Sequence, residues 1–178
     1  DATSKFRVTF KKAGEYTVNA SMKTVPGGVV LCSTGEVKIK VETPVAEVNG
    51  VQYTSLQAAL DAVKAQYNIA ADTQTEWTVK LVNDTTECVN ITLTPSLKNN
   101  KTAKVTIDLN GKTITGSGEK AVISVAKGGS MNAAVEFIID DSSAEKTGTI
   151  TGGNASQGGA IYVSGGNSNT KLTINGGK

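Results

Sequence analysis

Histidine is absent from this chain of 178 residues, and arginine occurs once, at Arg7. The missing histidine removes the side chain that most often serves as a general base or as a metal ligand. Aromatic residues are scarce, at 4%, whereas 19 glycines accompany abundant threonine, asparagine, valine and isoleucine. This mixture is typical of short strands joined by tight turns. We therefore expect a mostly β protein with no histidine-based catalytic site.

Charge is nearly balanced, with 18 lysine and arginine residues against 16 aspartate and glutamate residues and a net charge of +2. The charges are scattered along the chain, so the sequence has no basic patch of the kind that binds nucleic acid or anionic lipid. No segment approaches the roughly 18 apolar residues that a membrane-spanning helix needs. We expect neither a nucleic-acid partner nor direct membrane insertion.

Cysteine is also rare, and its two copies, Cys32 and Cys88, lie far apart in the chain. They form no CxxC pair, and no histidine is present to complete a zinc site. Two interpretations stay open. The tendency of cysteine to be buried favours two free thiols, and the alternative is a Cys32–Cys88 disulfide that joins the two halves of the chain.

The first forty residues alternate between apolar and polar side chains, which predicts short antiparallel strands. The segments are FRVTF from Phe6, YTVNA from Tyr16, VVLC from Val29 and EVKIKVE from Glu36. Tyr16 precedes Val18 by two positions, the spacing of a tyrosine corner in an immunoglobulin-like sandwich. Pro44 disfavours continuation of a strand ladder. We place a domain boundary there, with a β module at residues 1–44 and a second domain at residues 45–178.

The second domain begins with a predicted hairpin that turns at Asn49 and Gly50. One helix is predicted next, over about residues 54–67. Thr54 is the expected cap, and Gln57 completes an S/T-x-x-Q capping box. Apolar residues at helical spacing form one stripe that should face a core: Leu56, Ala59, Leu60, Val63 and Tyr67.

Two sequence lines then repeat at a period of a few tens of residues. VTIDLNGKTITG from Val105 recurs around Phe137 and Lys171, and AVISVAKGG from Ala121 recurs around Ala160. The offsets are 32 between Ile107 and Ile139, 35 between Ile139 and Ile174, 36 between Ile114 and Ile150, and 38 between Val125 and Val163. Such periods are typical of a solenoid whose units supply three short strands each and bury their apolar faces by stacking.

The helix YTSLQAALDAV, the strand WTVKLVND and the repeated IDLNGKTITG and GGAIYVSGG segments resemble the pectate-lyase-like superfamily. More narrowly, they are similar to repeat-bearing surface proteins of Gram-positive bacteria. The resemblance implies an all-β fold, a right-handed parallel β-helix solenoid with an N-terminal capping α-helix. The preceding strands resemble part of a bacterial immunoglobulin-like sandwich. We expect that module to be partial, and we expect the solenoid to continue in further coils of the parent chain at its C-terminal end.

Carboxylates provide the candidate metal ligands. The repeat offsets put Asp108, Asp140 and Asn175 in one outward column, with Asp141 beside it. Asp108, Asp140 and Asp141 are therefore candidate calcium ligands, since calcium prefers several oxygen ligands. We expect them instead to hydrogen-bond turns as an Asx ladder.

The sequence indicates no catalytic residues and no cofactor. A lyase of the family that the chain resembles would need a cationic base, but the repeats contain no arginine, and the nearby Lys104, Lys112 and Lys171 are equally well explained as solubilising. A hydrolase of that family would need a histidine, which is absent.

These observations predict a non-enzymatic, adhesin-like or structural segment of a secreted or wall-associated bacterial protein. Its expected partners are a polysaccharide, a host glycan or a host protein. The alternative is the N-terminal part of a β-helix polysaccharide lyase or glycoside hydrolase whose catalytic coils lie outside this chain. The nature of the ligand is left open by the sequence.

Overall fold

A computed structural model of the chain describes residues 7–23, 30–69, 73–96, 101–129, 132–165 and 169–178, with the side chains of residues 22, 23 and 30–32 excepted. The described residues contain sixteen strands and one helix. The chain divides into two compact units, Asp1–Thr43 and Pro44–Lys178. The division therefore falls one residue before the boundary that the sequence predicts.

The first unit has four short strands in two antiparallel pairs. They are β1 (Gly14–Val18), β2 (Ser21–Lys23), β3 (Val30–Ser33) and β4 (Val37–Val41), and β1 pairs with β4 while β2 pairs with β3. The hydroxyl of Tyr16 donates a hydrogen bond to the main-chain oxygen of Lys12 at 2.8 Å. The bond links Tyr16 to the main chain four positions upstream.

The predicted strand FRVTF is wrong, because residues 7–10 adopt no strand. Phe10 instead packs its ring against that of Tyr16, with the ring centroids 4.5 Å apart. Alternation of apolar side chains does not make a strand unless a neighbouring strand completes its hydrogen bonds. Residues 7–10 have no such neighbour within the described part of the first unit.

The second unit opens with a hairpin of β5 (Ala46–Val48) and β6 (Val51–Tyr53). Its two turn residues have positive φ angles, 50° at Asn49 and 77° at Gly50. Asparagine and glycine tolerate this conformation best, and a turn of this type matches the twist of the strands that it joins. The predicted hairpin is therefore confirmed.

Helix α1 spans Leu56–Tyr67, and the buried stripe is the one predicted from its spacing. The predicted cap is wrong by one residue. Ser55 is the N-cap, and its hydroxyl accepts a hydrogen bond from the main-chain nitrogen of Ala58 at 3.0 Å. The carboxylate of Glu87 accepts from the nitrogens of Leu56 and Gln57 at 2.8 and 3.1 Å. A residue distant in sequence thus completes the cap.

Gln57 also acts differently from the predicted capping box. Its side-chain amide donates to the main-chain oxygen of Asn90 at 2.9 Å and accepts from the main-chain nitrogen of Asn90 at 2.8 Å. The amide group therefore satisfies the polar groups of a strand edge, much as a neighbouring strand would. Through this pair the helix covers one end of a sheet.

The remaining ten strands recur in the same order of three. They are β7 (Glu76–Leu81), β8 (Thr85–Thr86), β9 (Val89–Leu93), β10 (Ala103–Asp108), β11 (Thr113–Thr115), β12 (Ile123–Lys127), β13 (Val135–Asp140), β14 (Thr149–Thr151), β15 (Ile161–Gly165) and β16 (Thr170–Ile174). The first sheet has the order β16-β13-β10-β7-β5-β6, the second β14-β11-β8 and the third β15-β12-β9. Strands β7 to β16 pair with one another in parallel, whereas β5 pairs with β7 antiparallel.

The pairing register agrees with the offsets read from the sequence. Ile139 lies opposite both Ile107 and Ile174, and Val125 lies opposite Val163. Strand β8 was not predicted, because Thr85 occupies the place that Ile114 holds in the next strand of the second sheet. Register is strongly specified here, since a slip of one residue would expose every buried side chain.

The core of the second unit lies between the three sheets and under α1. Matching apolar residues stack in rows, such as Trp77, Val105, Phe137 and Leu172. Among the described residues of this unit, three polar side chains are also buried: Asp108, Lys127 and Asp141. Lys127 lies in register with Leu93 and Gly165 in the third sheet. It therefore occupies an inward position that holds an apolar residue, Leu93, in the preceding strand of that sheet.

Candidate functional site

A cleft of about 340 Å³ opens on the outer face of the third sheet. We call it the third-sheet cleft. It is lined by ten residues: Cys88, Val89, Asn90, Lys120, Ala121, Ser124, Ala155, Ser156, Gln157 and Tyr162. Three of them, Asn90, Ser124 and Tyr162, lie directly opposite one another on β9, β12 and β15. We call these three residues the outward row.

The outward row follows from the period of two in each strand. Side chains of a strand point alternately to its two faces. In β9 the burial pattern is buried, exposed, buried, half-buried, buried, and Asn90 takes the exposed second position. Ser124 and Tyr162 hold the same second position in β12 and β15 and are half-buried. The inward neighbours in β9 and β12 are buried in the core, and the outward row faces the cleft.

Segments that lead into the strands form the wall of the cleft. Cys88 precedes β9, Lys120 precedes β12, and residues 155–157 precede β15. Hydrogen bonds tie the layers of this wall together. The nitrogen of Asn154 donates to the oxygen of Lys120 at 3.3 Å, and the sulfur of Cys88 contacts both the main-chain nitrogen and oxygen of Ser117 at 3.4 Å. The wall is thus built in the same layers as the sheet.

The lining offers hydrogen-bonding groups and one aromatic ring. Asn90, Ser124 and Gln157 supply donors and acceptors, and Tyr162 supplies a ring with a polar tip. Lys120 is the one charged residue among those that line the cleft. No carboxylate is among the residues that line it. The cleft therefore presents polar side chains that can exchange hydrogen bonds with solvent or solutes.

The candidate calcium ligands lie elsewhere, at the end of the first sheet. Asp108 is opposite Asp140 in the parallel pairing, as the offsets predict. The predicted outward exposure of Asp108 is wrong, since only 6% of the residue is exposed. Its carboxylate accepts hydrogen bonds from the nitrogens of Asn110 at 2.9 Å and Ser142 at 2.8 Å. These bonds join two successive loops and offset the cost of burying the carboxylate.

Asp140 bonds locally. Its carboxylate accepts a hydrogen bond from the main-chain nitrogen of Asp141 at 2.8 Å. Carboxylate oxygens of all three candidate residues therefore accept bonds from main-chain nitrogens. This is how Asx residues shape turns. The described residues contain no group of three or more cysteine, aspartate or glutamate side chains placed to hold a metal ion. Calcium binding stays the untested alternative to the predicted Asx ladder.

Asp141 is fully buried. The sequence predicts that it lies beside an outward column that begins at Asp108, and that exposed position is wrong. Its carboxylate accepts from the main-chain nitrogens of Gly111 at 2.8 Å, Ser143 at 3.0 Å and Gly148 at 2.6 Å. Burial alone would raise the pKa of this carboxyl group, but hydrogen bonds from Ser143, Gly148 and Gly111 outweigh burial and lower the pKa from 3.8 to about 2. The ammonium group of Lys146 donates to the main-chain oxygen of Asp141. Asp141 thus organises a loop.

The structure describes the side chain of only one of the two cysteines. Cys88 is half-buried in the wall of the third-sheet cleft and is present as a thiol. The side chain of Cys32 lies outside the described residues. The choice between two free thiols, the favoured interpretation, and a Cys32–Cys88 disulfide stays a prediction. Within the described ranges, α1 is the only helix and is too short to cross a membrane.

Sequence reasoning missed the outward row, although a signal for it was present. The offset of 38 between Val125 and Val163 also aligns Ser124 with Tyr162. The residues on that face are ordinary outward strand residues, so their alignment alone does not indicate a site. The cleft appears only when the preceding segments fold beside the row to form its wall.

No protein-family model, no curated protein and no solved structure matches this chain. Function is therefore argued from the geometry of the site.

Proposed function

We propose that residues 45–178 form a right-handed parallel β-helix in which one strand from each of the three sheets makes one coil. Three parallel ladders whose strands recur in the same chain order support this proposal. The helix α1, which packs over β5, β7 and β9, is the N-terminal cap of the solenoid. Such a cap protects strand edges and core residues that would otherwise be exposed.

The proposed function is non-enzymatic binding of a glycan through the third-sheet cleft. The observation that supports this proposal is the outward row. Asn90, Ser124 and Tyr162 share one register across three strands and face a polar cleft. A sugar offers hydroxyl groups to the amide and hydroxyl side chains and an apolar ring face to the tyrosine. Sites of this kind combine apolar contact with a few placed polar groups.

The cellular setting is proposed from the sequence resemblance to repeat-bearing surface proteins of Gram-positive bacteria. The chain would be a segment of a secreted or wall-associated protein. The first unit would serve as a spacer related to immunoglobulin-like domains, and the hydrogen bond from Tyr16 to Lys12 supports that relation.

A glycan array tests the proposed function directly. The chain should bind one or more immobilised glycans, and Tyr162→Ala should reduce that binding at least about tenfold, or about 1.4 kcal/mol, because it removes the ring that a sugar would stack on. Tyr162→Phe keeps the ring and should retain most of the binding. Thr78→Ala, on the exposed face of the first sheet, is the matched control and should have no effect.

Two outcomes would contradict the proposal. One is a blank array with folded protein, shown by a circular-dichroism spectrum that is rich in β structure. The other is binding that Tyr162→Ala leaves unchanged, which would place the glycan on another face.

A further inference from the structure

Within the described residues, strand β16 forms one edge of the first sheet and pairs with β13 on its other side. The oxygen of Asn169 accepts a hydrogen bond from β13 at 2.9 Å, and the nitrogen of Asn175 donates one to β13 at 2.8 Å. Successive residues of a strand direct their main-chain groups to alternate edges. The main-chain groups of Thr170, Leu172 and Ile174 therefore face the open edge.

The side chains of β16 leave this edge accessible to another strand. Ile174 is 63% exposed and Leu172 is half-buried, although both lie in rows that are buried in the preceding strands. The strand contains no proline, and its pairing with β13 has no register shift. These are features that keep strand edges apart in other proteins. The charge of Lys171 is offset by Glu136, whose carboxylate lies 2.9 Å from the ammonium group.

Two copies of β16 complement each other when they run antiparallel about Leu172. Leu172 then lies opposite Leu172 of the second copy, and Thr170 lies opposite Ile174 at both ends. All the residues whose main-chain groups face the open edge become hydrogen-bonded pairs, and each such pair exchanges two bonds. A register centred on Lys171 would instead set two ammonium groups opposite each other, which is unfavourable. A register centred on Thr173 would leave Thr170 without a partner inside the strand.

We propose that two copies of this chain associate through an antiparallel pair of β16 strands centred on Leu172. The two-fold axis lies perpendicular to the first sheet, so the inward faces of the two copies stay on the same side. Leu172 and Ile174 of each copy then pack against apolar residues of the other. An interface between identical surfaces is closed at two copies. The association is independent of the proposed glycan binding.

The size of the paired surface indicates how tightly the copies associate. β16 has five residues, and a strand pair of this length is smaller than the interfaces of stable complexes, which bury about 1,200–2,000 Å². The dimer should therefore form reversibly and depend on protein concentration.

Sedimentation velocity from about 1 µM to about 1 mM protein measures this association. The average mass should rise with concentration and level off at two chains. Ile174→Pro should keep the protein monomeric, because the substitution removes an N–H group that faces the open edge and spares the bonds to β13. Ile174→Thr keeps that N–H group and is the matched control. It should still form dimers, with an association constant reduced by no more than about tenfold. Circular dichroism of both variants checks that they are folded.

A disulfide trap tests the register without relying on proline. In a background with Cys32→Ser and Cys88→Ser, Leu172→Cys should give a dimer on oxidation that a reducing agent dissociates. The Cα atoms of a hydrogen-bonded pair are about 5.5 Å apart, within the range of about 4.4–6.8 Å that a disulfide spans. Ile174→Cys is the matched control. Each Ile174 lies opposite Thr170, so the two thiols would be about 13 Å apart along the strands and should not join.

Four outcomes would overturn the proposed dimer. They are a wild-type chain that stays monomeric at every concentration, a mass that rises beyond two chains without levelling off, an Ile174→Pro variant that associates as the wild type does, and Ile174→Cys that joins as readily as Leu172→Cys. None of these outcomes bears on the glycan array, and a blank array leaves the dimer untouched. The two proposals therefore fail separately.

Discussion

Asp141 shows how one residue shapes a loop of this protein. It follows β13 as Leu109 follows β10, and both residues are fully buried. The apolar position is thus taken by a carboxylate, which is tolerated because three main-chain nitrogens donate to it. Gly148 permits this arrangement, since a Cβ atom there would lie 2.5 Å from the Cβ of Leu109.

Replacing the carboxylate of Asp141 should lower the stability of the protein by an amount that depends on pH. Asp141→Asn should reduce the free energy of unfolding by about 2 kcal/mol at pH 7, because one of the two accepting oxygens becomes an NH₂ group that faces a donor. The folded-state pKa is lowered from 3.8 to about 2. The stabilisation is therefore fully present above pH 3.8 and is lost as the pH falls toward 2.

Urea unfolding of both proteins between about pH 6 and about pH 2 measures the effect. The gap between wild type and Asp141→Asn should shrink as the pH falls. Glu145→Gln, which neutralises an exposed carboxylate of the same loop, is the matched control and should change stability little at any pH. A gap that stays constant down to pH 2 would contradict the assigned role of Asp141.

At the scale of elements, helix α1 and the first sheet depend on contacts between distant parts of the chain. The outward face of the first sheet carries a row of alternating charge, Glu76, Lys104, Glu136 and Lys171, in register across four strands. The Lys171 and Glu136 side chains are 2.9 Å apart, and those of Lys104 and Glu76 are 3.7 Å apart. Hydrogen bonds first from Lys171 and then from Thr173 lower the pKa of Glu136. Each exposed pair contributes little energy, but the alternation disfavours a shifted register.

The N-terminus of α1 gives a prediction that distinguishes the contributions of Ser55 and Thr54 to stability. Ser55→Ala should destabilise the protein by about 1 kcal/mol, because it removes the oxygen that accepts from Ala58. Thr54→Ala should cost much less, since Ser55 and not Thr54 is the N-cap. Thermal or urea unfolding of the two variants compares them directly. Equal losses, or a larger loss for Thr54→Ala, would show that the helix begins one residue earlier in solution.

At the scale of the whole second unit, the stacked rows change from buried to exposed along the sheets. Ile107 and Ile139 are 1% and 2% exposed, whereas Ile174, in the same row, is 63% exposed. In the third sheet, Val163 is 38% exposed opposite buried Val125. The edge of β14, β15 and β16 therefore presents apolar side chains and strand edges that can pair with further strands.

The contrast between Ile139 and Ile174 can be measured. Ile139→Asn should cost more than about 3 kcal/mol, because it buries an amide in an apolar row and leaves a cavity. Ile174→Asn should cost less than about 1 kcal/mol and should reduce concentration-dependent association through this edge. Urea unfolding and sedimentation velocity give the two readouts. Similar destabilisation by both substitutions would show that the residues are equally buried in solution.

Much of the fold could be predicted because it depends on patterns within the sequence. Alternating apolar residues and the offset of 32 between Ile107 and Ile139 specify both strands and register, since burying those rows permits one alignment. Asn49 and Gly50 mark their hairpin because few residues tolerate its positive φ angles. The strand predicted at residues 7–10 is wrong because strand formation depends on more than the local pattern. A strand needs a partner, and alternation does not supply one.

The sequence by itself therefore determined the mostly β character, the strand register and the buried stripe of α1, because these depend on side-chain periodicity. Tertiary structure alone decided which groups meet from distant segments. It brought Glu87 to the start of α1 and three main-chain nitrogens to Asp141. It also set the wall of residues 120 and 155–157 beside Asn90, Ser124 and Tyr162. A cleft requires two surfaces, and periodicity within one strand describes only one of them.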